Sequence, residues 1–311
     1  MSNMAPSLPP LDVTRGAGVA APEGGEVGPV QSGWRLAFRE FSRNRLALIG
    51  LGILAFFVVF CFAGPLFYHA NLLNTDLAAV NLPPGPGHPM GTDNLGFDVL
   101  GELMKGGQAS LEVGFFVAII AIIIGALWGA ISGLAGGVVD AIMMRVVDVF
   151  LSVPFLFVVL IVAVRYGASV LSLSLIIGGF FWLVPARLVR GEVLTLRVRD
   201  FVSAARAAGS GRWRLINRHL IPNALSVIIV NVTFNVADAI LAVATLGFLG
   251  FGLHYPTVDW GDMLSNGIGY LQAGYWWLIY PAGACIILGV MACNLIGDAL
   301  RDSLDGRLRK R

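Results

Sequence analysis

Apolar residues fall along this chain in runs too long for a strand and too uniform for the one-sided stripe of a surface helix. The cleanest is 46–67, where 22 positions carry no charge. At ~1.5 Å per residue such a helix reaches ~33 Å, enough to cross a ~30 Å hydrocarbon core. Runs at about 110–133, 139–164, 170–190, 224–252 and 277–298 have the same character. The pattern predicts an all-α membrane protein whose six transmembrane helices lie within a domain over 46–306. Polar stretches frame them. Residues 1–33 are rich in Pro, Gly and Ala and lack periodicity, which predicts a disordered cytosolic tail. Residues 34–45 mix arginine with aromatic and apolar positions, as a basic amphipathic helix on the inner surface does. Segment 68–109 is the longest outer connection, 199–223 lies on the inner side, and 307–311 is a basic cytosolic tail.

Charge placement sets that orientation. Of the 21 Lys and Arg, five precede the first span, Arg145 follows the second, eight run from Arg187 to Arg218, and five follow the sixth. Only Lys105 and Arg165 remain for the opposite face. The positive-inside rule then puts both termini and 199–223 in the cytosol. With 57% hydrophobic and 13% charged residues, the chain is outside the range of soluble domains. A net charge of +2, carried by arginines that flank spans, argues against nucleic acid as a partner. Cys61, Cys285 and Cys293 all fall inside apolar runs and read as packing residues rather than a disulfide framework.

Within the spans, a few positions carry more than hydrophobicity. Ala121, Gly125, Gly129 and Gly133 form a ridge of small residues along the second span, where another helix can approach closely. Pro154 in the third and Pro185 in the fourth predict kinks. In the fifth, Asn231, Asn235 and Asp238 recur at i, i+4 and i+7, with Ala242 and Thr245 continuing the same face. A carboxylate midway across a bilayer faces the bundle or a water-filled path, because facing lipid costs several kcal/mol. Two readings compete for this row: lining of a path, or hydrogen bonds that hold helices together.

Outside the spans, Asp93, Asn94 and Asp98 lack the alternating ligands and closing glutamate of a calcium loop, so they predict a turn leading into a short helix from Asp98 to Met104. Trp260, Tyr275, Trp276 and Trp277 suit an interfacial aromatic belt. In the inner segment, Ser203 to Ala208 favours helix, Gly209, Ser210 and Gly211 interrupt it, and a second short helix from Trp213 to Arg218 ends near Pro222. Phe201, Ala204, Ala205 and Ala208 give the first of these an apolar face. Two short helices on a glycine turn make a compact knob that a partner protein can grip.

The spacing Ala204-Ala205, Gly209, then His219 to Asn223 resembles the Glu-Ala-Ala loop of bacterial ABC importer permeases, with Ser203 at the place of the leading glutamate. The run Gly91-Thr92-Asp93 through Gly96-Phe97-Asp98 resembles a segment of dipeptide- and nickel-type permeases, with Phe97 where arginine is common. Together with 43–64, 246–264 and 294–305, these stretches are similar in order to the permease subunits of dipeptide, oligopeptide and nickel ABC importers over about 34–306. The resemblance implies a six-span type I importer permease fold in a bacterial inner membrane. It implies a second homologous permease, two ABC ATPase subunits and an extracytoplasmic solute-binding protein as partners. Coupling to the ATPases falls, by the same resemblance, to Ala204, Ala205, Gly209, Arg218, His219 and Pro222, and the translocation path to Asn231, Asn235 and Asp238. Di- or oligopeptides are the implied substrate; nickel complexes and sugars are the alternatives within the class.

No enzyme reading gains support from the residues. The chain's lysines, Lys105 and Lys310, precede Gly106 and Arg311, so no Gly-Lys-Ser/Thr phosphate loop exists. The four histidines are scattered, and no Gly-x-Ser-x-Gly elbow occurs. The expectation is a chain with no catalytic residues, metal or cofactor of its own, ATP and Mg being used by partner subunits. A secondary transporter would instead carry its own coupling-ion site and repeated halves.

Overall fold

The computed structural model describes residues 33–70, 72–253 and 257–309, so the 1–32 part of the expected tail and the last two residues lie outside it. Among these residues the chain is helical, with two isolated bridges, Gly85 to His88 and Thr92 to Asp98, in place of any strand. The α-helices in order are α1 Gly33–Arg43, α2 Arg45–Val58, α3 Gly64–Phe67, α4 Val99–Ala135, α5 Gly137–Ser152, α6 Phe155–Tyr166, α7 Val170–Phe181, α8 Leu183–Leu196, α9 Asp200–Ala207, α10 Arg212–Leu215, α11 Ile221–Phe248, α12 Trp260–Ile268 and α13 Tyr280–Arg309. Four continuous helical stretches are long and apolar enough to cross a membrane: Arg45–Phe67, Val99–Ala135, Arg212–Phe248 and Trp276–Leu304. Two bent pairs, α5 with α6 at 79° and α7 with α8 at 41°, bring the total to six when each pair counts as one span.

Both bends have a local cause. Proline disfavours helical backbone in the residue before it, and Val153 is extended with Pro154 beginning the next helix. Pro185 has no N–H for the carbonyl four residues back, that of Phe181, where α7 ends.

The bundle is arranged around α4, which packs against α8, α11 and α7, while α13 lies between α11 and α2. Lipid supplies no hydrophobic drive between helices, so close contact depends on small residues. The ridge serves that purpose. A side chain at Gly125 would meet Pro185 and the Trp182 carbonyl, one at Gly129 the Ala186 carbonyl, and one at Gly133 the side chain of Val193. The outer surface carries exposed Phe157, Ile161, Leu171 and Ile287, as expected where hydrocarbon is the solvent.

Several elements differ from the sequence expectation. The helix opened by Asp98 does not stop at Met104; it runs unbroken for 37 residues into the second span. The fifth span's helix ends at Phe248 rather than 252, because Leu249 and Gly250 close it with carbonyl-directed turns. The last helix continues past 298 to Arg309. Trp260 and Trp277 are not belt residues: both are buried, donating Nε1–H to the carbonyls of Leu103 at 3.0 Å and Thr92 at 3.3 Å. Trp276, half exposed, keeps a surface position.

Candidate functional site

At the arginine-rich end, α9 spans eight residues, with Asp200 in its first turn and Arg206 in its last, both favourable to the helix dipole. Its closure is a complete Schellman turn. Ser210 N–H bonds the Ala205 carbonyl at 3.0 Å and Gly209 N–H the Arg206 carbonyl at 2.9 Å. Gly209 sits at φ +80, which side-chain-bearing residues rarely adopt, and a Cβ there would meet nothing within 4 Å. The turn therefore needs glycine for its backbone, not for space.

One side chain anchors this helix. Val202 is fully buried with Val193, Leu215, Ile216, Leu220 and Ala224. Sequence reasoning put Phe201, Ala204, Ala205 and Ala208 on the packed face and overlooked Val202. In the structure Phe201, Ala204 and Ala208 are exposed, and Ala205 is only half-buried. The Phe201 ring lies beside the His219 ring, at a centroid distance of 6.5 Å.

The expected second short helix is absent as a separate body. Helix α10 passes through a wide turn at Ile216–Leu220 directly into α11. Pro222 does not end the helix, because the wide turn absorbs it: Pro222 has no N–H for the Arg218 carbonyl, and Ile221 N–H bonds Ile216 five residues back. Arg218 and Pro222 are exposed there, His219 is half-buried, and Asn223 Nδ2 donates to the His219 carbonyl at 2.5 Å.

Further along α11, Asn231, Asn235 and Asp238 face a common cavity of about 640 Å³. Pro154, Phe155, Phe181 and Val184, from the two bent pairs, form much of its opposite wall. The bends thus open the cavity, and no periodicity signals that. The row's hydrogen bonds bear on its two readings. Asn231 Nδ2 donates within its own helix, to the Val227 carbonyl at 2.8 Å. Asn235 Nδ2 is buried without a partner, and Asp238 forms no ion pair among the described residues. Among the described residues none of the three bonds another helix, which leaves interhelical adhesion without its bonds there. A second cavity of about 440 Å³ lies nearer the arginine-rich end, between α8, α11 and α13, and includes Glu192, Ser226 and Arg301.

At the opposite end, the 68–98 segment is tied down by its own polar groups. Asp93 accepts from Leu95 and Phe97 N–H at 2.9 and 2.6 Å. Asp98 caps α4 through Gly101 N–H at 2.9 Å and also receives the Tyr68 hydroxyl at 2.8 Å. Asp98 Oδ2 also pairs with His88 Nδ1 at 3.0 Å, so the two carboxylates engage backbone, hydroxyl and imidazole groups. Burial pushes the Asp93 carboxyl above the usual range against those bonds. Asp259, fully buried, accepts from Leu253, Gly261 and Asp262 N–H at 3.1, 2.8 and 3.0 Å and starts α12.

Broken and continuous spans around an apolar cavity that carries one polar strip, Asn231, Asn235 and Asp238, are the architecture of a multi-pass transport permease. Residues 121–310 match the family described as binding-protein-dependent transport system inner membrane component, and the chain belongs to it. Residues 32–84 match the N-terminal TM domain of oligopeptide transport permease C. The chain is 36% identical over 274 residues to the dipeptide transport system permease DppC of Bacillus subtilis, covering 88% of this chain and 86% of that one. It is 40% identical over 272 residues to the oligopeptide transport system permease OppC of Mycobacterium tuberculosis H37Rv, 87% and 93% of the two chains. A probable D,D-dipeptide permease, DdpC of Escherichia coli K12, is 40% identical over 230 residues, 74% of this chain and 77% of its own.

Proposed function

We propose that this chain is one of two homologous permeases in an ATP-driven importer of di- or oligopeptides. Both termini and α9 face the cytosol, where two ABC ATPase subunits dock; an extracytoplasmic binding protein delivers peptide to the other side. The observation that carries this reading is mechanical. The exposed helix α9 hangs from the same continuous helix, Arg212–Phe248, whose Asn231, Asn235 and Asp238 line the intramembrane cavity. A partner that moves α9 by a few ångströms therefore moves the cavity wall.

In this scheme ATP closes the paired ATPases and draws the two α9 segments together, which opens the permease pair outward. Hydrolysis returns it inward. Exposed Ala204 with Phe201 supplies a shallow docking face, half-buried Ala205 backs it, and Gly209 fixes the angle between α9 and the long helix. Arg218, His219 and Pro222 form the base of the lever. Asp238, exposed on the cavity wall, suits a cavity filled by water or a polar solute rather than by lipid. The peptide class follows from the relatives' names, all of which are peptide or D,D-dipeptide permeases.

Two measurements test the proposal. Mild-detergent purification from native membranes should recover a second permease and a P-loop ATPase with this chain; recovery of the chain alone, active without ATP, overturns it. Gly209→Val places a β-branched residue at φ +80 in open space, a strain of about 1–2 kcal/mol. It should abolish peptide uptake while membrane insertion stays intact, and normal uptake would exclude α9 from coupling.

A further inference from the structure

The two cavities along α11 adjoin at two side chains. Asn231 and Phe234 are the residues common to both walls, with Asn235 and Asp238 on one side of them and Ser226, Val227 and Val230 on the other. From Ser226 to Asp238 the helix rises about 18 Å, so the cavities are stacked along the membrane normal rather than side by side. Asn231 is tied to its own helix at Val227. Phe234 is therefore the bulky group at the junction.

What holds that ring is an absence on the neighbouring helix. Gly297 of α13 lies directly against it: a Cβ built there would come within 3.0 Å of both Cε1 and Cζ of Phe234, and 2.7 Å from the Thr233 hydroxyl. Val230, Leu300 and Leu304 complete the seat. The ring is packed against Gly297, Val230, Leu300 and Leu304 and bordered by both cavities, so a swing away from that seat carries it between them. An aromatic ring of this size at a narrow apolar junction excludes water and solute when it lies across it.

We infer that Phe234 is the partition between a mid-membrane substrate chamber and a cytosolic vestibule, and that Gly297 is the seat on which its ring rests when the passage is open. This rests on the importer reading for direction, but the partition itself is a property of the chain. Its occupant in transit is a peptide-sized polar solute moving from the Asn235–Asp238 side to the Ser226 side. Phe234 is thus a positioning residue for transport and forms no bond with substrate.

The test uses the intact complex in inside-out vesicles, with Cys61, Cys285 and Cys293 replaced by Ala and a single reporter thiol introduced in this chain as Val184→Cys in the upper cavity. A membrane-impermeant maleimide is applied from the cytosolic side. Phe234→Ala should raise the labelling rate by about tenfold and Phe234→Trp lower it, as expected when one side chain closes an apolar constriction. A Ser226→Cys reporter, already in the vestibule, should label at the same rate in all backgrounds. Gly297→Ala, which fills the seat and pushes the ring into the passage, should slow Val184→Cys labelling, and should have no effect once Phe234 is alanine. Equal upper-cavity labelling with and without the Phe234 ring, or a Gly297→Ala effect that survives its removal, overturns the inference. Labelling requires neither ATPase activity nor a known peptide, so a failure here is distinct from a failure of uptake or co-purification.

Discussion

Replacing Asp259 tests how the end of the bundle opposite the arginine-rich one is held. Its carboxylate is fully buried and gathers three backbone N–H groups, from Leu253 before it and from Gly261 and Asp262 at the start of α12. Gly247 and Gly252 are bare where the carboxylate oxygens lie, so a side chain at either would displace them. Hydrogen bonds to a charged acceptor contribute about 1.5–3 kcal/mol each, giving a gross value near 6 kcal/mol. Burial opposes them and prevails, pushing the carboxyl up to about 6 from 3.8. That raised value is already the balance of burial against the three bonds, so ionising the folded carboxyl weakens its contribution at neutral pH. Asp259→Ala leaves the three N–H groups without their acceptor and should lower stability by about 3 kcal/mol. Asp259→Asn, which keeps an Oδ1 for Gly261 and Asp262, should cost about 1 kcal/mol or less at pH 7.5.

The sign of the pH dependence follows from the raised value. A carboxyl whose folded pKa lies above its unfolded one favours the folded state fully below 3.8 and loses that contribution as pH rises through about 6. Wild type should therefore gain on the order of 1 kcal/mol relative to Asp259→Asn between pH 7.5 and pH 5. Thermal unfolding of the purified complex in detergent, run for the three proteins across that range, reads both quantities. An alanine variant as stable as wild type, or a gap to the asparagine variant that ignores pH, would refute the reasoning.

Three further outcomes are expected from the same assay. Gly129→Ala pushes a methyl against the Ala186 carbonyl and to 2.8 Å from Arg190 N, and should cost about 1–3 kcal/mol, whereas Gly179→Ala, with nothing within 4 Å, should be neutral or better. Trp260→Phe preserves the ring contact with Phe57 at 5.4 Å but removes the Nε1–H bond to Leu103, for a loss of about 1 kcal/mol. Asp140→Ala breaks a two-bond pair with Arg190 at 2.5 and 2.6 Å and should cost more than Asp148→Ala, whose Arg187 pair is about half exposed on both sides and contributes at most about 1 kcal/mol.

What was legible in the sequence followed from local physics. The charge-free run at 46–67, the helix start at Asp98 and the small-residue ridge at 125, 129 and 133 each act through chemistry carried by neighbouring residues. What was not legible depended on partners far along the chain. Trp260 and Trp277 resemble belt residues until the carbonyls of Leu103 and Thr92, more than 150 positions away, satisfy their indoles. Pro222 reads as a helix end unless a wide turn just before it absorbs the missing bond. Val202 sits one place from the aromatic that drew attention, and a helix of eight residues gives too short a pattern to choose its buried face. Phe234 is one aromatic in an apolar run, and only the juxtaposed cavities single it out.

The glycine ridge of α4 also says where this protein does not bend. Because Gly125, Gly129 and Gly133 let the α8 backbone and the side chains of Pro185, Val189 and Val193 close directly onto α4, a shift of one helix along the other would drive those groups into the α4 backbone. Bonds from Arg197 to the Gly133 carbonyl and from Arg190 to Asp140 clamp the same region. Helices α4 and α8 therefore travel as one stiff strut. Any change of shape falls to the joints left unclamped, the extended Val153–Pro154 link and the Trp182 corner, so a spin-label pair across α4 and α8 would keep its distance through the cycle while one across α5 and α6 would not.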